Sequence, residues 1–385
     1  MRDAVSQFEE AFARVVGAGR AFAFWRGRVA MAFILEALGI GPGDEVVMPG
    51  YTCFSAVLPA KHVGAQPVYV DIEPATFTLD ARLLEAAVTP RTRLLVAQHT
   101  FGYPCSMDAI LEIANRRGLP VVEDCCPALG STYRGRPVGT FGLAAYWSFD
   151  WTKTLTTGLG GMATTRDAAL AERIAALCSA RLCPPPAADA LRLAAEHAVF
   201  RLAASPRTMD VLVRLHGGLA RAGAAVPTFS AADFAPETLG RFLRRMGGLQ
   251  ARAGLREMRR LNRNVAHRRR LRDLYDRLFS EAGWPRPPLP AHLDPVLIRY
   301  PVRVANKEVL AAEARRRAAD VQTWWESPIH PPDTPLERFG YRPGSCPVAE
   351  RVSREVVTLP TDLRTSPAAA RQIAALVLRV GRPAA

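Results

Sequence analysis

Apolar runs alternate with helical patterns along the first part of the chain. Residues 28–39 (RVAMAFILEALG) have the length and apolar spacing of a helix, and GPGD follows as a stop and a turn. Further along, continuous apolar runs predict strands in EVVMPGYTC, PVYVDI, RLLVAQHT and LPVVEDCC, and helices are predicted between them in SAVLPAKHVGA and MDAILEIANRRG. Strands that alternate with helices indicate βαβ units and a mostly parallel sheet.

The composition of these strands indicates that both faces of the sheet are covered. Their residues are apolar on both sides of the chain rather than alternately apolar and polar, as expected when helices cover both faces of a parallel sheet. The sequence therefore predicts an α/β fold with a large, mostly parallel sheet.

The second part of the chain has a different pattern. Residues 166–225 are Ala- and Arg-rich and helical in character, and residues 243–279 predict one or two long amphipathic helices. A smaller α/β unit follows, with LIRYPVRV and VQTWW as strands, KEVLAAEARRRA as a helix and a terminal helix at 366–380. We predict a large domain at 1–260, which carries a helical insertion at about 182–235, and a small C-terminal domain at 261–385.

Composition narrows the classes of protein. No stretch reaches the roughly 18 uninterrupted apolar residues of a membrane span, and the acid-bearing start MRDAVSQFEEAFARVV differs from a secretory signal. We therefore expect a cytoplasmic protein. The seven cysteines form no CxxC pair, so we expect neither a metal site nor a disulfide framework.

The net charge of +14 raises the question of nucleic-acid binding. The cations are scattered along the chain, and all but Lys61, Lys153 and Lys307 are Arg. Such a bias is typical of an Arg- and Ala-rich coding background, so we expect no nucleic-acid partner. An anionic small substrate remains compatible with the charge.

One lysine lies in an unusual setting. Lys153 stands in AAYWSFDWTKTLTTGLGGMATT, a Ser/Thr/Gly-rich turn between two apolar strands. Desolvation lowers the pKa of a lysine, and a neutral amine can form a Schiff base with an aldehyde cofactor. Nearby hydroxyls and glycine amides can hold a phosphate. A surface lysine in a Thr-rich hairpin is the alternative interpretation of this stretch taken alone.

Two further positions favour the cofactor interpretation. Asp124 ends the strand LPVVEDCC, and open α/β sheets bind ligands at the carboxyl ends of their strands. A carboxylate there can pair with a protonated pyridine nitrogen, although Asp124 is also compatible with a simple turn. Gly27 and Arg28 stand at a helix start, where free backbone N–H groups bind phosphate, but many glycines precede helices.

In several long blocks, the sequence resembles the DegT-type aminotransferases, which are pyridoxal 5′-phosphate (PLP) enzymes of fold type I that modify sugars. The blocks are GIGPGDEVVMPGYTC, GAQPVYVDIEPATFTLD, VTPRTRLLVAQHTFGYPCSMDAI, GLPVVEDCCPALGSTYRGRPVGTFG, YWSFDWTKTLTTGLGG and GYRPGSCPVAERVSREVVTLP. The resemblance covers about four-fifths of the chain. It implies a large PLP-binding domain and a smaller C-terminal α/β domain.

The resemblance also implies roles for individual residues. Lys153 would bind PLP as a Schiff base and shuttle the proton between substrate and cofactor. Asp124 would pair with the pyridine nitrogen. The phosphate would be held by Ser148 and the amides of Gly27 and Arg28, and Phe101, in the HTFG segment, would stack on the cofactor ring.

Two more residues are implied with weaker support. Arg245, in LRRMGGLQA, matches an arginine in a segment that reaches the neighbouring subunit's site in family dimers, although a solvated helix arginine is an equal alternative. His330, in SPIHPP, lies in a loop that approaches the site in relatives, and a structural histidine is the alternative. We therefore expect a homodimer.

The implied reaction is amino transfer from an amino acid, with L-glutamate as the expected donor, to a keto-sugar, a nucleotide-linked sugar or a related cyclic ketone. Pyridoxamine 5′-phosphate would be the intermediate form of the cofactor. A PLP-dependent dehydratase or lyase acting on a related sugar or secondary-metabolite substrate is the alternative. A regulatory homologue without activity is disfavoured because Lys153, Asp124 and Ser148 are all retained.

Four departures from the family pattern leave the acceptor open. Pro127 stands where the family often has Gln or His, and Leu159 stands where it often has Glu. Leu243 replaces an Asn that contributes to an inter-subunit phosphate contact, and Arg28 replaces the usual Thr, which adds a cation near the phosphate.

The insertion at about 182–235 is a separate question. It mixes apolar positions with five arginines, namely Arg192, Arg201, Arg207, Arg214 and Arg221. A basic amphipathic helix pair can lie on an anionic membrane surface. A packed, solvated helical insertion is the favoured interpretation.

Overall fold

The computed structural model describes residues 3–203, 215, 217–219, 231–285 and 289–384. Its strands are β1 (Arg20–Phe24), β2 (Glu45–Pro49), β3 (Thr52–Cys53), β4 (Gln66–Val70), β5 (Thr92–Gln98), β6 (Val121–Asp124), β7 (Thr132–Tyr133), β8 (Arg136–Pro137), β9 (Ala144–Ser148), β10 (Gly161–Thr165), β11 (Leu293–Asp294), β12 (Arg299–Arg303), β13 (Ile329–His330) and β14 (Val356–Pro360). Its α-helices are α1 (Ala4–Val16), α2 (Gly27–Ala37), α3 (Phe54–His62), α4 (Ala81–Ala87), α5 (Met107–Arg117), α6 (Ala168–Arg181), α7 (Ala187–Ala203), α8 (Gly248–Met258), α9 (Leu261–Glu281), α10 (Lys307–Arg316), α11 (Pro347–Glu355) and α12 (Pro367–Val380).

A seven-stranded sheet forms the centre of the fold, in the order β1-β10-β9-β6-β5-β2-β4. The five strands from β9 to β4 run parallel, and β10 and β1 add antiparallel pairs at one edge. The expected α/β fold with a mostly parallel mixed sheet is therefore confirmed. The parallel part brings the carboxyl ends of β6 and β9 to the same edge.

Helix α2 is the most buried helix near this edge. All its residues from Gly27 to Leu35 are buried, and it contacts β9, β10, α3 and α6. A helix that is apolar around its whole circumference must lie in the interior, which explains why VAMAFIL shows no polar face. The exception is Arg28, a cation at the start of an otherwise apolar helix.

The predicted strand EVVMPGYTC divides into two strands, which corrects the sequence interpretation. The chain leaves the central sheet at Pro49, and β3 pairs instead with β13 in a separate two-stranded sheet. Gly50 lies at the division, where a Cβ atom would come within 2.4 Å of the Cys346 Sγ. Only glycine fits this close to the start of α11, at the point where the chain leaves the central sheet.

The C-terminal α/β unit is built on the antiparallel pair β12 and β14. The predicted helices at 307–318 and 366–380 correspond to α10 and α12. The predicted strand VQTWW is wrong, because only Gln322 makes a bridge to Thr358 and Trp325 adopts a left-handed backbone with φ 69°. The boundary at residue 260 remains a prediction.

The insertion is described only in part. Helix α7 packs inward through Leu193 and His197, which are buried, while Leu191 and Val199 are exposed. The arginines at 207, 214 and 221 lie outside the described residues, so the membrane-surface interpretation remains a prediction. No helix among the described residues is long and apolar enough to cross a membrane.

The glycine of the HTFG segment provides a test of the fold. Gly102 has φ 110°, and a Cβ there would lie 2.3 Å from the Val296 carbonyl oxygen. We predict that Gly102→Ala lowers the free energy of unfolding by about 3 kcal/mol, because backbone strain and a clash with backbone act together.

Gly118, the C-cap of α5, is the matched control. It also has a left-handed backbone, with φ 63°, but no described atom lies within 4 Å of the position that a Cβ would take there. Gly118→Ala should therefore cost only about 1 kcal/mol. Equilibrium urea denaturation would measure both losses, and equal losses would contradict the steric argument.

Candidate active site

Asp124 lies at the carboxyl end of β6, with Tyr146 of β9 as its register partner. Its Oδ1 accepts a hydrogen bond from the Cys126 N–H at 3.0 Å, and its backbone carbonyl accepts from the His99 N–H at 3.1 Å. The carboxylate is buried and held in place by the turn that follows the strand. Backbone N–H groups therefore orient Asp124, which lies at the edge of the sheet where the sequence predicts a ligand site.

The neighbouring Glu123 points to the other face of the sheet and has a structural role. Its carboxylate accepts hydrogen bonds of 2.7 Å from the N–H groups of Gly139, Phe141 and Gly142. His99 adds a contact of 3.1 Å between its Nε2 and the carboxylate. Ligand atoms of His99, Glu123 and Cys125 lie within 4.8 Å of one another, but these hydrogen bonds account for the carboxylate. We assign the cluster to anchoring the loop at 139–142.

Lys153 lies in the loop between β9 and β10. The loop is closed by backbone hydrogen bonds, in which the Lys153 N–H donates to the Asp150 carbonyl at 3.0 Å and the Phe149 N–H donates to the Gly160 carbonyl at 2.9 Å. Burial raises the pKa of Asp150, and the nearby positive charges of Lys153, Arg26 and Arg28 oppose that rise. The loop therefore places Asp150 near Lys153 and near both arginines.

Two thiols lie close enough to this loop for the charge of Lys153 to affect their pKa values. Burial raises the pKa of both Cys53 and Cys126, and the positive charge of Lys153 opposes the rise at each of them. The sequence interpretation treated both as ordinary cysteines. No local signal distinguishes them, because Cys53 reaches the site only through the tertiary position of β3.

The start of α2 meets the ends of β9 and β10. A Cβ on Gly27 would lie 3.1 Å from the Ser148 Cβ, and a Cβ on Gly161 would lie 2.3 Å from the Gly27 Cα. Gly161 is therefore needed for this close approach, and Gly27 leaves little room for a side chain. The contact brings the Ser148 side chain beside the free N–H groups of a helix start, which is a favourable environment for a phosphate.

Arg26 and Arg28 flank this helix start and are both buried. The Arg28 guanidinium lies over the rings of Phe54 and Phe242, at 5.1 and 5.3 Å, and Arg26 lies over Phe242 at 4.8 Å. Burial lowers the pKa of Arg26 to about 10, helped by the charge of Arg28. The sequence analysis did not single out Arg26. The run Arg-Gly-Arg directly before an apolar helix could have indicated a cluster of positive charge at the helix start.

These residues fit PLP. Lys153 offers the amine, Asp124 offers a buried carboxylate at the strand end, and Gly27 with Ser148 forms a cradle that a Cβ would fill. The Arg28 Nη1 is buried without a hydrogen-bond partner among the described residues, as expected beside an anion site. Gly27 lies against Ser148, and both Asp124 and the charge of Lys153 act on Cys126. The roles of Lys153, Asp124, Ser148, Gly27 and Arg28 toward PLP remain predictions.

Phe101 lies in an aromatic cluster near this site. Its ring packs edge-on against Tyr51, Phe77 and Trp325, at centroid distances of 5.3 to 6.1 Å. Phe77, Phe101 and Trp325 all adopt left-handed backbones, a strain that tight packing sustains. Stacking of Phe101 on the cofactor remains a prediction.

The two residues with weaker support lie in different settings. His330 is the register partner of Cys53, its Nδ1 accepts from the Trp325 N–H at 3.2 Å, and burial lowers its pKa to about 4, so it is neutral near pH 7. Arg245 is exposed, and its Nε donates to the Leu182 carbonyl at 3.3 Å. Within its own subunit, that contact directs Arg245 toward Leu182, and its role across a dimer remains a prediction.

Leu159 marks an apolar region beside the Lys153 loop. It forms a buried cluster with Trp25 and Leu193, against which Trp151 and Phe242 pack. Leu193 comes from α7, so the insertion contributes directly to the wall of this loop. A polar side chain at position 159 would be buried among these apolar groups.

A lysine in a loop after a parallel strand, an aspartate at the end of the adjacent strand and a phosphate cradle at a helix start define a fold type I PLP-binding protein. The comparisons with known proteins agree with this class. The model of the DegT/DnrJ/EryC1/StrS aminotransferase family matches residues 2–185 and 222–378, and the chain belongs to this family.

Three similar proteins illustrate the range of the family. GDP-perosamine synthase of Caulobacter vibrioides is 46% identical over 170 residues, which are 44% of this chain and 46% of that protein. L-glutamine:scyllo-inosose aminotransferase of Streptomyces griseus is 42% identical over 43% of this chain and 39% of that protein. The pleiotropic regulatory protein of Geobacillus stearothermophilus is 30% identical over 93% of this chain and 84% of that protein. The alignments with the first two span less than half of those relatives.

Solved structures extend the likeness to nearly the whole chain. The X-ray structure of DesV from S. venezuelae, in complex with a ketimine intermediate, has a TM-score of 0.74 at 27% identity and covers 98% of this chain and 89% of that one. The aminotransferase TlmJ from Streptoalloteichus hindustanus has a TM-score of 0.75 at 28% identity and covers 98% and 90%, respectively. The fold is that of these aminotransferases.

The site predicts which lysine binds PLP. When the protein is incubated with PLP and reduced with borohydride, we expect peptide mapping to find the label on Lys153. Lys307 is a buried internal control, since its Nζ donates to the Ser353 carbonyl at 2.8 Å, and Lys61 is the more accessible control. Label on either control in place of Lys153 would contradict the assignment.

Proposed function

We propose that this protein is a PLP-dependent aminotransferase that moves an amino group from an amino acid to a keto-sugar, a nucleotide-linked sugar or a related cyclic ketone. The observation that carries the proposal is that Asp124 and Lys153 both act on Cys126, after strands β6 and β9 that pair in parallel, while Gly27 packs against Ser148 at the end of β9. L-Glutamate is the expected donor. The names of the relatives, a GDP-perosamine synthase and an inosose aminotransferase, support an acceptor that is a sugar or a cyclitol ketone.

The residues of the chain have separable tasks in this reaction. When bound, PLP supplies an aldehyde and a ring that takes up electrons. Asp124 holds the positive charge of the ring nitrogen, which maintains that capacity. The Lys153 amine would hold the aldehyde and, once released, would accept the proton that leaves the donor's α-carbon and return it in the second half of the reaction.

A dehydratase or lyase is the second candidate, and a specific observation favours it. Leu159 and Pro127 provide no polar side chain where many transaminating relatives have one, and Leu159 is buried in an apolar cluster. Retention of Lys153 supports the aminotransferase, because the proton transfer between two carbons needs a positioned amine.

We also propose that the protein is a homodimer in the cytoplasm. The dimer is supported by the family resemblance of the segment around Arg245, which completes a neighbouring site in relatives. The compartment is supported by the seven cysteines, which are all free thiols, the state that a reducing environment maintains.

Asp124→Asn tests the role of the carboxylate. The substitution is nearly isosteric but cannot hold the pyridinium charge, so we predict a loss of at least about 10²-fold in turnover. Circular dichroism and PLP content should stay close to wild type, because the Cys126 N–H can still donate to the amide oxygen. Turnover near the wild-type rate would place the ring-nitrogen partner elsewhere.

The first half-reaction separates transamination from elimination. L-Glutamate alone should bleach the yellow colour of the PLP-loaded protein and release one equivalent of 2-oxoglutarate, and a ketone acceptor should restore the colour and become an amine. L-Glutamine serves as a second donor in the same assay, and Lys153→Ala is the inactive control. If neither donor converts PLP while the pyridoxamine phosphate form deoxygenates a sugar, the lyase interpretation is correct.

A further inference from the structure

A buried arginine lies between the C-terminal α/β unit and the loop that carries Lys153. Arg268 of α9 is only 2% exposed, and burial lowers its pKa to about 10, so it keeps its charge near pH 7. Within the described part of the chain, its hydrogen bonds all reach uncharged oxygens, and the charge of Asp362 acts on it without forming an ion pair. Burying a charge without an opposite charge beside it is costly. The oxygens that Arg268 binds therefore indicate what this charge holds in place.

One side of the Arg268 guanidinium holds the C-terminal unit. Its Nη1 donates to the carbonyls of Leu297 and Ile298, at 3.1 and 2.8 Å, and to the Thr361 Oγ1 at 2.9 Å. The two carbonyls directly precede β12 and Thr361 directly follows β14, so Nη1 joins the two strands at the same end of their antiparallel pair. The Ile298 N–H also donates to the Phe101 carbonyl, at 3.0 Å, which ties this segment to the HTFG turn.

The other side of the guanidinium reaches the Lys153 loop through Asn264. The Arg268 Nε donates to the Asn264 Oδ1 at 3.1 Å, and the Asn264 Nδ2 donates to the Thr154 carbonyl at 2.6 Å. Asn264 and Arg268 are four residues apart and therefore share a face of α9. Because the Oδ1 accepts from Arg268, the amide is held with its Nδ2 directed at the loop. Thr154 is buried and directly follows Lys153, so the backbone beside the lysine is held by a residue 110 positions later in the chain.

We infer that Asn264 and Arg268 are positioning residues for the Lys153 amine. Asn264 holds the Thr154 carbonyl, and Arg268 acts through Asn264 by fixing its amide and anchoring it to the β12–β14 pair. A rotation of the Thr154 peptide would move the backbone of Lys153 and displace the amine at the end of its long side chain. An amine reacts with an aldehyde only within a narrow range of distance and angle, so such a displacement weakens the bond. The inference rests on the proposed function for the aldehyde that Lys153 meets.

Two forms of the cofactor separate the position of the amine from the integrity of the whole site. PLP has an aldehyde that bonds to Lys153, whereas pyridoxamine 5′-phosphate fills the same site without that bond. Asn264→Ala should weaken PLP binding by up to about tenfold, the loss expected for one hydrogen bond. Binding of pyridoxamine 5′-phosphate should stay within about twofold of wild type. Borohydride labelling of Lys153 at a PLP concentration near the wild-type Kd should fall accordingly.

Asn306 provides the matched control. Like Asn264 it is half-buried, its Nδ2 donates to a backbone carbonyl, that of Val380 at 2.9 Å, and its Oδ1 accepts a hydrogen bond, from the Arg382 N–H at 2.7 Å. Asn306→Ala should therefore lower stability in urea about as much as Asn264→Ala, but it should leave the affinities for both cofactor forms unchanged. If Asn306→Ala reproduces the loss of PLP affinity, that loss reflects stability and the inference is wrong.

R268K tests whether the arginine acts through Asn264. Lysine keeps the charge, but its single nitrogen cannot replace the guanidinium fork that joins Asn264 to the β12–β14 pair. R268K should lower the affinity for PLP relative to that for pyridoxamine 5′-phosphate, and adding Asn264→Ala should cause no further loss, because both changes act on one carbonyl. Independent, additive losses would remove Arg268 from the proposal. Asn264→Asp is nearly isosteric but directs an acceptor at the Thr154 carbonyl, so it should weaken PLP binding at least as much as Asn264→Ala.

The result with Asn264→Ala decides the proposal. Equal weakening of PLP and pyridoxamine 5′-phosphate would show that Asn264 supports the site as a whole, and unchanged affinity for both would show that the Thr154 carbonyl does not need it; either result would overturn the inference. If borohydride fixes no PLP to Lys153 in the wild-type protein, the proposed function fails as well. A wild-type protein that is labelled at Lys153, with an Asn264→Ala variant that shows no selective loss of PLP, overturns the inference alone.

Discussion

The close approach of α2 to the ends of β9 and β10 is the contact on which the rest of the site depends. Gly161 allows backbone to meet backbone there, because a side chain at this position would clash with Gly27 of the helix, and a side chain at Gly27 would crowd Ser148. The contact sets Ser148 beside the helix start and fixes both ends of the loop that carries Lys153. The parallel pairing of β6 with β9 then places Asp124 on the same edge.

Buried charges are satisfied to different degrees around Glu123 and around the start of α2. Glu123 is satisfied by three backbone N–H groups and His99, so its charge anchors a loop and is unavailable for chemistry. Near the start of α2, the charges of Lys153 and Arg28 act on Asp150, and the Arg28 Nη1 has only the distant Asp233 carboxylate, at 3.7 Å, and no hydrogen-bond partner among the described residues. This incomplete satisfaction is expected where a charged ligand binds, because a functional site keeps donors directed at the ligand.

The insertion connects the substrate side of the site to a part of the chain that the family model does not match. Leu193 of α7 packs on Leu159 and Trp25, beside the loop of Lys153. The residues proposed to hold PLP thus lie in the part of the chain that the family model matches, whereas Leu193 lies outside it. Such a division is consistent with a shared reaction and an individual acceptor, since function is set by sites built on common folds.

The sequence by itself determined the α/β class and most strands and helices, because apolar periodicity and glycine turns are local signals. The site roles of Lys153, Asp124, Ser148, Gly27 and Arg28 came from strand ends, a helix start and the family resemblance, and they remain predictions. Tertiary structure decided the rest. Cys53 and Phe242 reach the site only through the packing of distant segments, and the predicted strand VQTWW failed because Trp325 adopts a left-handed backbone within an aromatic cluster. Non-local packing outweighs local strand preference there, and no local pattern records which distant residues will meet.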